Sequence, residues 1–276
     1  MMPLRELAIN GSLIVAGTWL VAALLLVVFA RTLIYPFQPG LDAAEPTGLP
    51  GAEAVRLEAA DGTPLIAWLV RPAAGRPVVL YFMGNAGALP AHAPLLAELA
   101  GHGLGIAALN YRGAGGAPGR SSEAALAADA LVLYDQLDRL FGEPVPADRR
   151  VIHGSSLGAA LAVRLAAERP SAAVVLESPF NRLCEVARYH YPIFPACLLL
   201  PYEHWDSAAR IGAIGAPLLI VHGARDATIP LAQGRALFAA AREPKRLVVY
   251  PDAGHNDLLA HGAGAEAARF IEEVTR

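Results

Sequence analysis

The sequence predicts an α/β fold: an eight-stranded, mostly parallel sheet flanked by helices, with a small cap, preceded by one N-terminal transmembrane helix. Three observations lead there. From residue 54 onward, short β-branched runs alternate with Ala/Leu-rich stretches of helical length. The later β-rich runs are apolar throughout, as strands covered by helices on both faces are. Residues 11–30, GSLIVAGTWLVAALLLVVFA, are almost continuously apolar, and no charged residue stands between Glu6 and Arg31.

The N-terminal run comes first in the chain. Twenty helical residues span about 30 Å, the hydrocarbon thickness of a bilayer. Leu, Ile, Val and Phe dominate the run, and at roughly −0.3 to −0.6 kcal/mol each they favour insertion by about 3–7 kcal/mol. Tyr35 and Phe37 follow at the expected interface, and Pro36 ends the helix. Two other readings compete. A cleaved signal peptide has a shorter apolar run and a clearer positive start, although Val28–Phe29–Ala30 resembles a cleavage site. A buried soluble helix is disfavoured because every face is apolar. Arg5 on one side and Arg31 and Arg56 on the other nearly balance, with a weak lean toward a domain outside the cytoplasm.

Residues 36–52 (PFQPGLDAAEPTGLPGA) are rich in Pro and Gly and read as a linker. Strands are predicted at 54–59 and 65–70, joined antiparallel by a tight turn at Asp61–Gly62. Further strands are predicted at 77–83, 105–110, 150–154, 173–177, 217–222 and 246–250. Helices fill the gaps at 88–101, 121–140, 156–168, 231–241 and 257–275. Ser121 or Ser122 caps the second, and Gly142 with Pro144 ends it. Residues 178–216 leave room for a short helix and a small cap. Its aromatic and apolar stretch, from Tyr189 through Phe194 and Leu198 to Trp205, fits an acyl pocket, a membrane-dipping surface or ordinary packing on the core.

Composition excludes some functions. The chain has 276 residues, is 55% hydrophobic and carries a formal net charge of −3. Lys245 is the only lysine, the arginines are dispersed, and no basic stripe with interleaved aromatics supports nucleic-acid binding. Cys184 and Cys197 have no Cys or His neighbours at zinc-ligand spacing, so no metal is expected there. They read as buried or half-buried thiols, with a disulfide as the alternative.

The chemistry concentrates at His153-Gly154-Ser155-Ser156-Leu157-Gly158, where Gly154, Ser156 and Gly158 fit G-x-S-x-G. A nucleophile on so sharp a strand-to-helix turn requires glycine two residues to either side. Placing Ser155 in that slot would put His153 and Leu157 there instead, so the register selects Ser156. A hydroxyl needs a base within hydrogen-bond reach. Of eight histidines, His255 stands in the loop after the last strand, in YPDAGHND, where this arrangement presents its base. Its imidazolium needs a carboxylate. Asp226, just past strand 217–222, is the candidate. Glu177 is a rival, and Asp252 is too close to His255 in sequence to face it easily. For the oxyanion, the backbone N–H of Leu157 is one expected donor. Asn85, or alternatively Ala86, in the Gly84–Gly87 loop is the other.

In order along the chain stand FMGNAG, LNYRGAG with a following SSEAALAADA helix, GSSLG, LESPF, HGARDATIP and GHND. Together they resemble the α/β-hydrolase-domain (ABHD) family of single-pass serine hydrolases, and more loosely the prolyl-oligopeptidase-like esterases, over residues 50–276. The resemblance implies the α/β-hydrolase fold, a Ser156–Asp226–His255 triad and no cofactor. It also implies substrates of the lysophospholipid, acylglycerol or palmitoyl-protein kind. The family usually has His where Met83 stands and often Arg where Ser155 stands. Neither change touches the triad, and the first bears on how the oxyanion loop is held. Arg112 in NYRG is expected to pack structurally near the site.

The expectation is therefore an anchor at 1–35, a linker at 36–52 and a hydrolase domain at 53–276. It would act on esters or thioesters of small-molecule or lipid acyl substrates at a membrane. A peptidase and a non-catalytic binding protein of the same fold are the alternatives.

Overall fold

A computed structural model describes residues 4–37, 43–200 and 202–276. Residues 1–3 of the expected anchor and 38–42 of the expected linker lie outside the described residues, as does the Arg5 side chain used in weighing orientation. All eight predicted strands form: β1 (Glu53–Glu58), β2 (Pro64–Val70), β3 (Val78–Phe82), β4 (Gly105–Asn110), β5 (Arg150–Ser155), β6 (Ala173–Glu177), β7 (Leu218–Gly223) and β8 (Lys245–Tyr250). They make one sheet in the order β1-β2-β4-β3-β5-β6-β7-β8. Strand β2 runs antiparallel to both β1 and β4, and the remaining pairs are parallel. The β1–β2 turn forms at Asp61–Gly62. Gly62 supplies the left-handed φ of 78°, and the Asp61 carboxylate accepts from the Thr63 N–H at 3.1 Å.

Helix α1 (Leu4–Ile34) precedes the sheet. Within the domain follow α2 (Ala93–Gly101), α3 (Glu123–Asp135), α4 (Leu137–Phe141), α5 (Leu157–Glu168), α6 (Leu183–His190), α7 (Ala196–Leu199), α8 (Ala208–Ile211), α9 (Leu231–Ala240) and α10 (Ala263–Val274). Ser122 caps α3 by accepting from the Ala125 N–H at 3.2 Å. The helix predicted as one piece over 121–140 divides at Gln136 into α3 and α4. Strands β3, β4, β6 and β7 are buried along their whole length, which is why they read as unbroken apolar runs.

The cap departs from expectation. Three short helices, α6, α7 and α8, occupy a stretch where one was expected. Two of them are four residues long, too short to leave a 3.6-residue period in the sequence. Cys184 and Cys197 are not free thiols; they form a disulfide joining α6 to α7. Residues 43–52 lie against the domain. Ala43 and Leu49 are buried, and the Trp68 indole N–H donates to the Ala43 carbonyl at 2.8 Å.

The register brings the interesting strand ends together. Phe82 pairs with Gly154, Ser155 with Glu177, Glu177 with Val221, and Gly223 with Tyr250. These pairs cross the carboxyl edge of the sheet, where ligands bind in open α/β sheets.

Candidate active site

Ser156 sits between the end of β5 and the first residue of α5 with φ 55° and ψ −115°, a conformation rare for a residue with a side chain. The neighbouring glycines show what the bend demands. A Cβ on Gly154 would collide with the Gly158 carbonyl, and one on Gly158 with the carbonyls of Phe82 and Met83. The turn therefore presses the start of α5 against the ends of β5 and β3, leaving the Ser156 hydroxyl projecting above the sheet edge.

His255 lies in the loop after β8. Its Nε2 is 3.1 Å from Ser156 Oγ, and its Nδ1 is 2.7 Å from Asp226 Oδ2. Asp226, in the loop after β7, accepts on its other oxygen from the backbone N–H groups of Thr228 (2.9 Å) and Ile229 (2.7 Å). Burial works to raise the Asp226 carboxyl, but the hydrogen bonds from His255 and Ile229 outweigh it and hold the group below the usual carboxylate range. The three residues picked from sequence thus meet in one hydrogen-bonded chain.

Their rivals are engaged elsewhere. Glu177 Oε1 pairs with the buried His153 ring at 3.1 Å. Asp252 is exposed and pairs with Arg225 at 2.5 Å. His222 is a further contributor, one not singled out from the sequence. Its Nε2 donates to the Ile229 carbonyl at 2.9 Å and stands 3.5 Å from Asp226 Oδ2. Burial holds this ring's pKa below its ordinary value, so it stays neutral beside the carboxylate.

The two expected oxyanion donors come from different parts of the chain, one after β5 and one after β3. Leu157 opens α5, so its N–H has no acceptor within that helix. Asn85 follows β3 and lines the same cavity as Ser156 and Leu157. The loop passes beside the nucleophile at Gly84, where a Cβ would lie in ordinary contact 3.5 Å from the Ser156 Cβ. The loop is held through backbone at Met83, whose carbonyl accepts from the buried Tyr111 hydroxyl at 2.7 Å. Tyr111 is a second contributor missed in sequence, although it stands inside the NYRG motif. Arg112 lies apart from the reacting groups. It forks onto Asp129 (2.5 and 2.7 Å) and reaches Asp61 (2.7 Å).

Above Ser156 is a cavity of about 280 Å³ walled mainly by Leu, Ile, Val, Ala and Phe. The cap contributes Leu183, Val186 and Phe194, and the end of α1 contributes Leu26, Ala30 and Leu33. Among the described residues no group of three His, Cys, Asp or Glu side chains is arranged to hold a metal.

Residues 74–199 match the family model described as serine aminopeptidase, S33. The Mycobacterium tuberculosis protein Rv2307c is 43% identical over 229 residues, covering 82% of this chain and 80% of its own. The lysophosphatidylserine lipase ABHD12 of Danio rerio is 32% identical over 191 residues, 62% of this chain and 49% of the lipase. Among solved structures, the Pyrococcus furiosus esterase Pf2001 superposes with a TM-score of 0.73 at 17% identity, over 88% of this chain and 99% of that one. The sheet order, the bend at the end of β5 and these relatives place the chain in the α/β-hydrolase family.

Proposed function

We propose that this member of the family is a serine hydrolase that cleaves carboxylic esters or thioesters of acyl- or lipid-type substrates through an acyl-enzyme. The observation that carries the reading is the hydrogen-bonded chain from Ser156 Oγ through the His255 ring to Asp226, with Ser156 opening onto an apolar cavity. In the proposed reaction Ser156 Oγ attacks the acyl carbon while His255 Nε2 takes the hydroxyl proton and Asp226 stabilises the imidazolium. The N–H groups of Leu157 and Asn85 hold the oxyanion, each such donor contributing about 3–4 kcal/mol to the transition state. The bond from the acyl carbon to the leaving oxygen or sulfur then breaks, and His255 returns the proton to the leaving group. Water, activated by His255, releases the acid and restores Ser156. The steps are complete without a metal or cofactor.

The cavity favours an acyl chain. Its walls are mainly apolar side chains, and each CH₂ buried against them gains about 0.8 kcal/mol before ordering costs. An aminopeptidase would need a group for the substrate's terminal ammonium, and among the described residues lining the cavity there is no carboxylate.

We also propose the division into anchor (1–35), linker (36–52) and catalytic domain (53–276), with α1 crossing the bilayer once. Leu13, Ile14 and Val15 are 65–70% exposed, which suits lipid and not water. The Cys184–Cys197 disulfide supports placing the domain on the oxidising, extracytoplasmic side.

A fluorophosphonate probe tests the reading. Labelling of the full chain, abolished by Ser156→Ala, is expected; folded wild-type protein that stays unlabelled refutes it. Ser156→Ala and His255→Ala should each lower ester turnover by about 10⁶, as in comparable triads. Either variant retaining more than about a tenth of activity removes that residue from its role.

A further inference from the structure

We infer that α1 forms one wall of the acyl-binding site, so that the anchor helix itself sets which acyl chains the enzyme accepts. The inference rests on the acyl-hydrolase reading above and adds to it a group of specificity-determining residues outside the hydrolase domain.

The wall is built on one helical stripe. Leu26, Ala30 and Leu33 stand at i, i+4 and i+7, which places them on a single face of α1 over about 10 Å of its axis. All three line the cavity that contains Ser156, together with Leu183, Val186 and Phe180. A chain whose carbonyl carbon meets Ser156 Oγ and whose tail fills this cavity therefore runs between α1 and the cap.

The wall is fixed in position. At the domain end, Arg31 Nε reaches Glu203 Oε1 at 3.0 Å, and the Tyr35 hydroxyl donates to Glu203 Oε2 at 2.5 Å. Glu203 also accepts from the Glu123 N–H at 2.8 Å, and the Trp205 indole donates to Tyr35 at 3.0 Å. Toward the middle of α1, Trp19 stacks on Phe194 with ring centroids 5.5 Å apart, and its indole N–H donates to the Ile193 carbonyl at 3.2 Å. The helix is thus tied to the domain and cap on both sides of Leu26–Leu33, as a wall must be and a free tether would not be.

The seam between α1 and the cap also has an apolar exterior. Ile193 and Leu198 on the cap are 70% and 78% exposed, and Leu24 and Phe29 on α1 are 62% and 52% exposed. With α1 in a bilayer this surface meets lipid, and the occupant is the long acyl chain of a lipid ester or thioester passing along α1 to Ser156.

The test uses the full chain in detergent micelles, with initial rates on p-nitrophenyl butyrate and p-nitrophenyl palmitate. Ala30→Phe fills the cavity from the α1 side. It should lower kcat/KM for palmitate by about tenfold or more, the scale on which pocket contacts discriminate, while butyrate stays within about twofold. Ala30→Leu, a milder filling, should give a smaller loss in the same direction. Leu24→Phe, on the outer face, should leave both rates near wild type. Labelling of Ser156 by a short-chain fluorophosphonate at the wild-type rate shows that each variant is folded. Equal losses on both esters with labelling intact, an unchanged palmitate rate in Ala30→Phe, or the same selective loss in Leu24→Phe overturns the inference and leaves the hydrolase reading standing. Wild-type protein inert toward both esters and the probe overturns the two together.

Discussion

Asp226→Asn separates the two carboxylates that the sequence offered as partners for His255. Asp226 Oδ1 accepts two backbone N–H groups, from Thr228 at 2.9 Å and Ile229 at 2.7 Å. An amide at this position keeps those two bonds only by turning its oxygen toward them, which aims its NH₂ at His255 Nδ1. The ring must then accept at Nδ1 and carry its proton on Nε2, the nitrogen 3.1 Å from Ser156 Oγ. A protonated Nε2 cannot take the serine proton. A comparable tautomer reversal costs about 10⁴ in turnover, or about 5.4 kcal/mol at 1.36 kcal/mol per decade. Glu177→Gln is the matched control. Its amide oxygen still accepts from the His153 ring, so turnover should stay within about threefold of wild type, as for most changes away from a site. The assay is kcat for ester hydrolysis, with circular dichroism to show that both variants are folded. If Asp226→Asn kept more than a tenth of the activity, or Glu177→Gln proved the more damaging change, the assignment of the acid would be wrong.

Three further outcomes follow from the structure. Tyr35→Phe leaves the Trp205 indole N–H without its acceptor in a buried site and takes a donor from Glu203, so stability should fall by about 1–3 kcal/mol, read as a lower Tm; an unchanged Tm would mean that the clasp at the end of α1 is not formed. Reduction of Cys184–Cys197, which are 13 residues apart, should cost about 3 kcal/mol by freeing the unfolded chain, measured as a fall in Tm on adding dithiothreitol; equal melting with and without reductant refutes this. Burial holds the His92 and His222 rings below their ordinary pKa of about 6.5, so the unfolded chain takes up protons that the folded chain does not. Stability from these rings is therefore complete above about pH 6.5 and declines as the pH falls toward their folded-state values. A urea midpoint that stays level from pH 7.5 to pH 5 would contradict it.

Much of the fold was legible because burial on both faces removes polar residues from a strand. Runs such as Ala173–Glu177 and Leu218–Gly223 announce themselves by composition alone. Ser156 was legible for a steric reason: the bend excludes side chains at Gly154 and Gly158, so the constraint is written into its neighbours. His255 and Asp226 were located by the loops they occupy, since the parallel register carries every such loop to the same edge of the sheet. The cap was not legible, because α7 and α8 are too short to show a period and the pairing of Cys184 with Cys197 depends on how α6 and α7 pack. The roles of His222 and Tyr111 were hidden as well. Each acts through a backbone carbonyl, of Ile229 and Met83 respectively, and a carbonyl leaves no mark in the sequence. Glu203 did carry a faint signal, a carboxylate inside the apolar and aromatic run LLLPYEHW.

The largest discrepancy between sequence and structure lies within α1, which hydropathy treats as uniform. Residues 9–18 are exposed on every side, whereas Trp19, Ala22, Ala23, Leu26, Val27, Ala30 and Ile34 are buried or half-buried. Those positions recur at intervals of three and four, the stripe of a helix packed along one face. Hydropathy cannot separate the two halves, because lipid and a protein interior both select Leu, Val and Ala. Length offers the missing clue. A bilayer needs about 20 helical residues, and α1 has 31. The part that packs against the cap and faces Ser156 runs from Trp19 to Ile34, so the span a bilayer needs overlaps the packed stripe and brings the cap edge around Phe194 to the lipid. An anchor that served only to tether would need neither the stripe nor the clasp of Arg31 and Tyr35 on Glu203. Both features fit the inference that α1 takes part in selecting the acyl group, and on that inference a version of the chain lacking α1 should show the chemistry of Ser156 without its specificity.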